Sequence, residues 1–86
     1  MSKRKHAEIL RDIFAQPVPA DVRWDDIESL FNSLGAEIDE GKGSRVRVAL
    51  NGIRAVFHRP HPERTADKGA LKSVRRFLIE AGVRPE

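Results

Sequence analysis

The 86-residue chain contains no cysteine and no tyrosine, and only 6% of its residues are aromatic. Without cysteine there is no disulfide framework, no thiolate nucleophile and no Cys-based zinc site, so packing alone must stabilise the fold. No stretch approaches the roughly 20 apolar residues that a membrane span needs, and the basic start MSKRKHAEIL leads into charged amphipathic sequence, unlike a signal peptide. The composition therefore predicts a small cytoplasmic protein.

The length and the 40% hydrophobic content suit one small core. We expect residues 1–86 to form a single domain, with residues 1–20 as an N-terminal helical extension and residues 21–86 as the main part. Residues 1–43 carry six Lys/Arg against nine Asp/Glu, whereas residues 44–86 carry ten against four. A basic half of this kind favours a polyanionic partner, nucleic acid first, over the alternative of a merely well-solvated surface.

Helical spacing of apolar residues predicts three helices. The first covers residues 3–15, before the prolines of QPVPAD, and the second runs from Trp24 to Leu34, with Gly35 as its terminating glycine. The third follows Asp67, a plausible N-cap, and covers about 14 residues up to Gly82. Because its spacing matches the apolar stripe of the second helix, Trp24 is predicted to be a core residue and not a base-stacking one.

A β-hairpin is the clearest element of the sequence. Asn51-Gly52 is the preferred two-residue type I′ turn, so residue 50 should face residue 53. Counting outward gives an apolar face of Leu50 with Ile53, Val48 with Ala55, and Val46 with Phe57. The opposite face pairs Ala49 with Arg54, Arg47 with Val56, and Arg45 with His58. With AEIDE as a short preceding strand, the order is helix, helix, three strands, helix, which is an α+β fold.

Several segments together resemble the HicA family of toxins, which belong to bacterial toxin–antitoxin pairs. These segments are the Trp-containing helix, the GSR that opens the second strand, the histidine that closes the third, and KGALKSVRRFLIEAG as the final helix. The resemblance covers roughly residues 24–84 and implies a double-stranded-RNA-binding-domain-like α-β-β-β-α fold, here with an extra N-terminal helix. It also implies an mRNA interferase that needs no metal or other cofactor, and that a HicB-like antitoxin neutralises.

The residue after Gly-Ser is typically the catalytic histidine in that family, and here Arg45 occupies the position. Arginine can hold a phosphate with its planar fork but does not deprotonate, so it is a poor general base. His58 lies directly across the hairpin, with Cβ atoms about 4.5 to 5.5 Å apart in such a pair. We hypothesise that His58 supplies acid–base catalysis and that Arg45 holds the phosphate. The alternatives are that His58 merely ends a strand, and that the chain is a catalytically inactive RNA- or protein-binding module.

The expected RNA-contacting residues are mostly cationic and lie on the hairpin and just beyond it: Ser44, Arg45, Arg47, Arg54, His58, His61 and Lys68. The alternative for the arginines is that they keep an open sheet soluble. His61 and Lys68 are alternatively solvated surface residues, and His6 is expected to be exposed and uninvolved. Metal is not expected at His58 and His61, because Pro60 and Pro62 deny the pair a helical geometry and no third ligand is apparent.

Overall fold

The computed structural model describes residues 3–85 and contains three helices and three strands within them. The elements are α1 (Lys3–Ile13), α2 (Trp24–Ser33), β1 (Glu37–Glu40), β2 (Arg45–Leu50), β3 (Ile53–His58) and α3 (Lys68–Glu80). This order, with one open antiparallel sheet, confirms the predicted α+β fold.

The helix ends follow the capping residues. The Asp67 side chain accepts a 2.7 Å hydrogen bond from the Ala70 backbone N–H, which confirms Asp67 as the N-cap of α3. Gly35 and Gly82 follow α2 and α3 with φ of 86° and 81°, in the left-handed region that glycine adopts without strain. Helix α1 ends at Ile13, two residues earlier than expected, because the chain turns before Pro17.

The sheet has the order β1-β2-β3, and the β2–β3 register matches the predicted one at every pair from Leu50 and Ile53 out to Arg45 and His58. Asn51 and Gly52 both have positive φ, 51° and 80°, as a type I′ turn requires. The Asn51 side chain also donates a 2.8 Å hydrogen bond to the Ala81 carbonyl. The turn is therefore tied to the end of α3, on the helix-covered side of the sheet.

The apolar face of the hairpin packs against the helices around an aromatic cluster. Phe57 lies with its ring centroid 5.8 Å from Trp24, 5.9 Å from Phe31 and 5.7 Å from Phe77. Trp24 is 3% exposed, which confirms it as a core residue. This core covers one face of the sheet and leaves the face with Arg45 and His58 open.

Helix α1 is joined to the core through Ile9 and Ile13, which are both buried. The Arg75 guanidinium on α3 donates a 2.8 Å hydrogen bond to the carbonyl of Ile13, the last residue of α1. It donates a second, of 2.9 Å, to the carbonyl of Ala15, two residues further along the chain. The expectation that His6 is exposed was wrong: the residue is half-buried, with Nε2 3.0 Å from the Ser29 hydroxyl oxygen. That His6 takes no part in function stays a prediction. Among residues 3–85, no helix is both long and apolar enough to cross a membrane.

Candidate nucleic-acid interface

The open face of the sheet brings four of the seven expected contact residues together. Arg45 and Arg47 on β2, and Arg54 and His58 on β3, are all exposed on this face. Strand alternation places them there, because their neighbours Val46, Val48 and Phe57 are buried on the other side. The other three expected residues lie beyond the sheet: Ser44 in the turn before β2, His61 in the loop after β3, and Lys68 at the start of α3.

Arg45 and His58 face each other across the hairpin. The Arg59 amide donates a 2.9 Å hydrogen bond to the Ser44 carbonyl, so Ser44 and Arg59 form a hydrogen-bonded pair. Because such pairs alternate along an antiparallel ladder, Arg45 and His58 form a non-hydrogen-bonded pair, whose Cα atoms stand about 4.5 Å apart. Within residues 3–85, neither side chain makes a hydrogen bond or an ion pair, so both are available to a ligand.

The positive charge of this face is graded along the strands. At the hairpin end, Asp39 of β1 lies directly across from Arg47, and Glu37 lies across from Ala49, whose other partner is Arg54. At the opposite end the β1 chain has reached Gly41, whose amide donates a 2.9 Å hydrogen bond to the Arg45 carbonyl. A glycine supplies no carboxylate, so an anion meets less opposing charge beside Arg45 than beside Arg47.

Gly41 also shapes the path of the Arg45 side chain. A Cβ atom built on Gly41 would lie 3.3 Å from the Cβ, Cγ and Cδ atoms of Arg45. The aliphatic part of Arg45 therefore passes closely over the Gly41 backbone. A side chain at position 41 would push Arg45 aside by a few tenths of an ångström.

An ion-pair network lies beside the same end of the sheet and centres on Arg59, the residue after His58. The Arg59 guanidinium donates to both carboxylate oxygens of Glu28, at 2.8 and 3.0 Å, and to Glu40 at 2.7 Å. The Trp24 indole N–H donates to the same Glu28 carboxylate. These contacts connect the end of β3 to α2 and to β1 through charge-assisted hydrogen bonds.

The hydrogen bonds from Arg59 lower the pKa of Glu28 below its ordinary value of 4.5; burial opposes this shift, and the Trp24 indole adds to it. The hydrogen bonds that Arg59 donates, to Glu28 first and to Glu40 second, raise the pKa of Arg59. Both partners are therefore ionised at neutral pH. The network thus sets one guanidinium between two carboxylates at this end of the sheet, so the charge of Arg59 is already used within the fold.

Two features of this region did not emerge from the sequence. The Arg59 network joins residues up to 31 positions apart, although the i, i+4 spacing of Trp24 and Glu28 was a usable signal for one of its contacts. The position of the Glu37 and Asp39 carboxylates on the open face depends on the β1–β2 register. The sequence of the four-residue turn at 41–44 did not specify that register.

Among residues 3–85, no three His, Asp or Glu side chains are grouped so as to hold a metal ion.

Comparison with known proteins places these features in a family. Residues 24–83 match the family model described as the HicA toxin of bacterial toxin–antitoxin systems. The match begins at α2, so α1 and the segment after it lie outside the matched range. Neither the curated proteins nor the solved structures gave a match. Since the family model covers well over half of the chain, the protein belongs to the HicA family of toxins of bacterial toxin–antitoxin pairs.

Proposed function

We propose that the protein is a cytoplasmic, single-domain mRNA interferase that cleaves RNA without a metal ion and is neutralised by a HicB-like antitoxin. The observation that carries the proposal is the Arg45–His58 pair. The two side chains face each other, are exposed and have no partners within residues 3–85. They stand at the end of the sheet where β1 contributes Gly41 in place of a carboxylate.

In the proposed reaction, His58 takes the proton from a ribose 2′-hydroxyl, whose oxygen then attacks the adjacent phosphorus. The bond from phosphorus to the 5′-oxygen breaks, and solvent protonates this leaving oxygen. The products are an RNA with a 2′,3′-cyclic phosphate and an RNA with a 5′-hydroxyl. Arg45 holds the phosphate and stabilises the negative charge that develops on its oxygens.

The remaining contact residues hold the RNA backbone in this proposal. Arg47 and Arg54 continue the exposed face toward the hairpin turn, while Ser44, His61 and Lys68 extend it beyond the sheet. Contacts to phosphate are insensitive to sequence and weaken with salt. We therefore expect RNA binding by these residues to weaken strongly as the salt concentration rises and to depend little on the base sequence.

A second candidate function rests on Arg45 itself. The family resemblance implies a catalytic histidine at this position, and arginine cannot act as a general base there. A chain that had lost catalysis would remain an RNA- or protein-binding module with the same basic face. Under this alternative, RNA would bind with the same salt dependence but would not be cut.

Growth of cells expressing the chain separates the two functions. Expression without an antitoxin is expected to arrest growth, and the His58→Ala variant is expected to be harmless at the same protein level. The matched control is His6→Gln, which removes a histidine on α1, outside the proposed RNA-contacting residues. Growth arrest by His58→Ala equal to that of wild type would refute the catalytic role of His58, and harmless wild-type expression with retained RNA binding would favour the silent module.

A further inference from the structure

Strand β3 is an edge strand whose outer side is unpaired in the described part of the chain. The sheet order is β1-β2-β3, so β3 pairs only with β2. Because Ser44 and Arg59 are a hydrogen-bonded pair, the alternation along the ladder turns the backbone N–H and C=O groups of Arg54, Val56 and His58 away from β2. The edge therefore offers three consecutive sets of donors and acceptors in the register of a fourth strand.

Two of the features by which proteins usually protect an edge, proline and a bulge, are missing from this strand. Its six residues contain no proline, and each pairs one to one with β2, which excludes a bulge. Val56, at the centre of the edge, is 53% exposed, more than any other large hydrophobic residue described. Val56 thus presents both unpaired backbone hydrogen-bonding groups and an exposed apolar side chain at the edge.

A groove of about 380 Å³ runs between this edge and α3. Its apolar lining comes from Val56 on the strand together with Phe57 and Phe77 beneath it. The helix side contributes two cations, Lys72 and Arg76, against one carboxylate, Glu80. The side chains of an added strand would therefore meet an apolar floor and a predominantly positive wall.

We propose that β3 accepts an extended, acidic segment of the antitoxin as a fourth strand of the sheet, with its carboxylates toward Lys72 and Arg76. The charge of the edge selects this occupant. A second copy of the chain, paired antiparallel about Val56, would place Arg54 opposite the other copy's His58 and bring two sets of helix cations together. An acidic strand removes that repulsion and gains attraction at the same contacts.

This inference rests on the proposed antitoxin and gives it a mode of action. A strand added at His58 would lie along the same end of the sheet as the Arg45–His58 pair. The antitoxin strand would then exclude RNA by covering the position of the phosphate. This inhibition would not require a change in the toxin's own fold.

The test uses the purified chain and the purified product of the adjacent antitoxin gene, compared by amide hydrogen exchange. The amides of Val56 and His58 are expected to exchange quickly in the free protein and to become protected in the complex. A complex in which these two amides stay unprotected would overturn strand addition while leaving the proposed function intact. Failure to form any complex would overturn the antitoxin partnership and the inference together, without bearing on RNA cleavage.

Two variants give an independent measurement of the dissociation constant. Val56→Pro removes one outward N–H without removing a bond to β2, and it is expected to weaken antitoxin binding about tenfold, whereas Val56→Thr retains the donor. The double variant Lys72→Glu, Arg76→Glu is expected to weaken antitoxin binding by a similar factor. Its control is Arg84→Glu, which changes an exposed charge outside the groove and should leave antitoxin binding unchanged. Unchanged affinity in the correctly folded double charge variant would refute an acidic partner strand.

Discussion

The Glu28–Arg59 contact is expected to be the most pH-sensitive element of the fold, and Glu28→Gln isolates it. Glutamine keeps the size of the side chain and one accepting oxygen, but it loses the charge and the second acceptor for the Arg59 guanidinium. A hydrogen bond to a charged group contributes about 1.5 to 3 kcal/mol, and solvent screening reduces this at a partly exposed pair. The side chains of Arg59 and Glu28 are 33% and 18% exposed, so we expect a loss at the lower end of that range.

A loss of about 1.5 kcal/mol corresponds to a melting temperature roughly 6 to 12 °C lower for a domain of this size. The sign of the pH dependence follows from the lowered pKa of Glu28. The contact contributes fully above the ordinary carboxyl pKa of 4.5, and its contribution disappears as the pH falls through the lower pKa of the folded state. The difference between wild type and Glu28→Gln should therefore be full at pH 7 and shrink progressively below pH 4.5.

Urea unfolding followed by far-ultraviolet circular dichroism measures this difference, because Trp24 fluorescence would itself change when its Glu28 partner is altered. Glu63→Gln, at an exposed loop carboxylate, is the matched control and should change the free energy of unfolding by only a few tenths of a kcal/mol. Equal stability of wild type and Glu28→Gln at pH 7 would show that the Glu28–Arg59 contact does not stabilise the fold. A difference that persists undiminished at pH 2 would refute the assigned cause.

Three further changes test the packing and capping that support the site. Phe31→Ala should destabilise the fold by about 3 to 5 kcal/mol because the ring is fully buried, and urea unfolding would reveal an error if the loss stayed below 1.5 kcal/mol. Arg75→Met removes the donors to the Ile13 and Ala15 carbonyls and should speed proteolytic cleavage near Pro17 severalfold, whereas an unchanged cleavage rate would show that α1 is held by packing alone. Asp67→Ala should cost about 1 kcal/mol and Asp67→Ser much less; equal losses in thermal unfolding would contradict the N-cap role.

The elements were predictable where local chemistry determines them. Asn51-Gly52 specifies both the turn and the pairing of the residues beside it, so the hairpin register and the Arg45–His58 pair followed from counting. Asp67 and Gly82 marked the last helix in the same local way. Boundaries were less certain at α1, because a chain approaching proline can leave the helix at any of several residues.

The features that were missed depend on contacts between distant segments. Arg59 reads in the sequence as one more basic residue before a proline, and only the fold shows that its charge is used by Glu28 and Glu40. Arg75 likewise shares a helix with exposed cations, yet it caps α1. A count of basic residues therefore does not show which of them are used in structural contacts, whereas the strand pattern identified three arginines and a histidine that lie exposed on one face.

Cleavage of a defined single-stranded RNA by the purified protein in EDTA measures whether the Arg45–His58 pair is a metal-independent catalytic site. Wild type is compared with His58→Ala, and RNA binding of both is measured in the same buffer. We expect metal-independent cleavage that yields a 2′,3′-cyclic phosphate and disappears in His58→Ala while binding persists. Cleavage by His58→Ala at the wild-type rate, or no cleavage by a wild-type protein that binds RNA, would contradict this expectation.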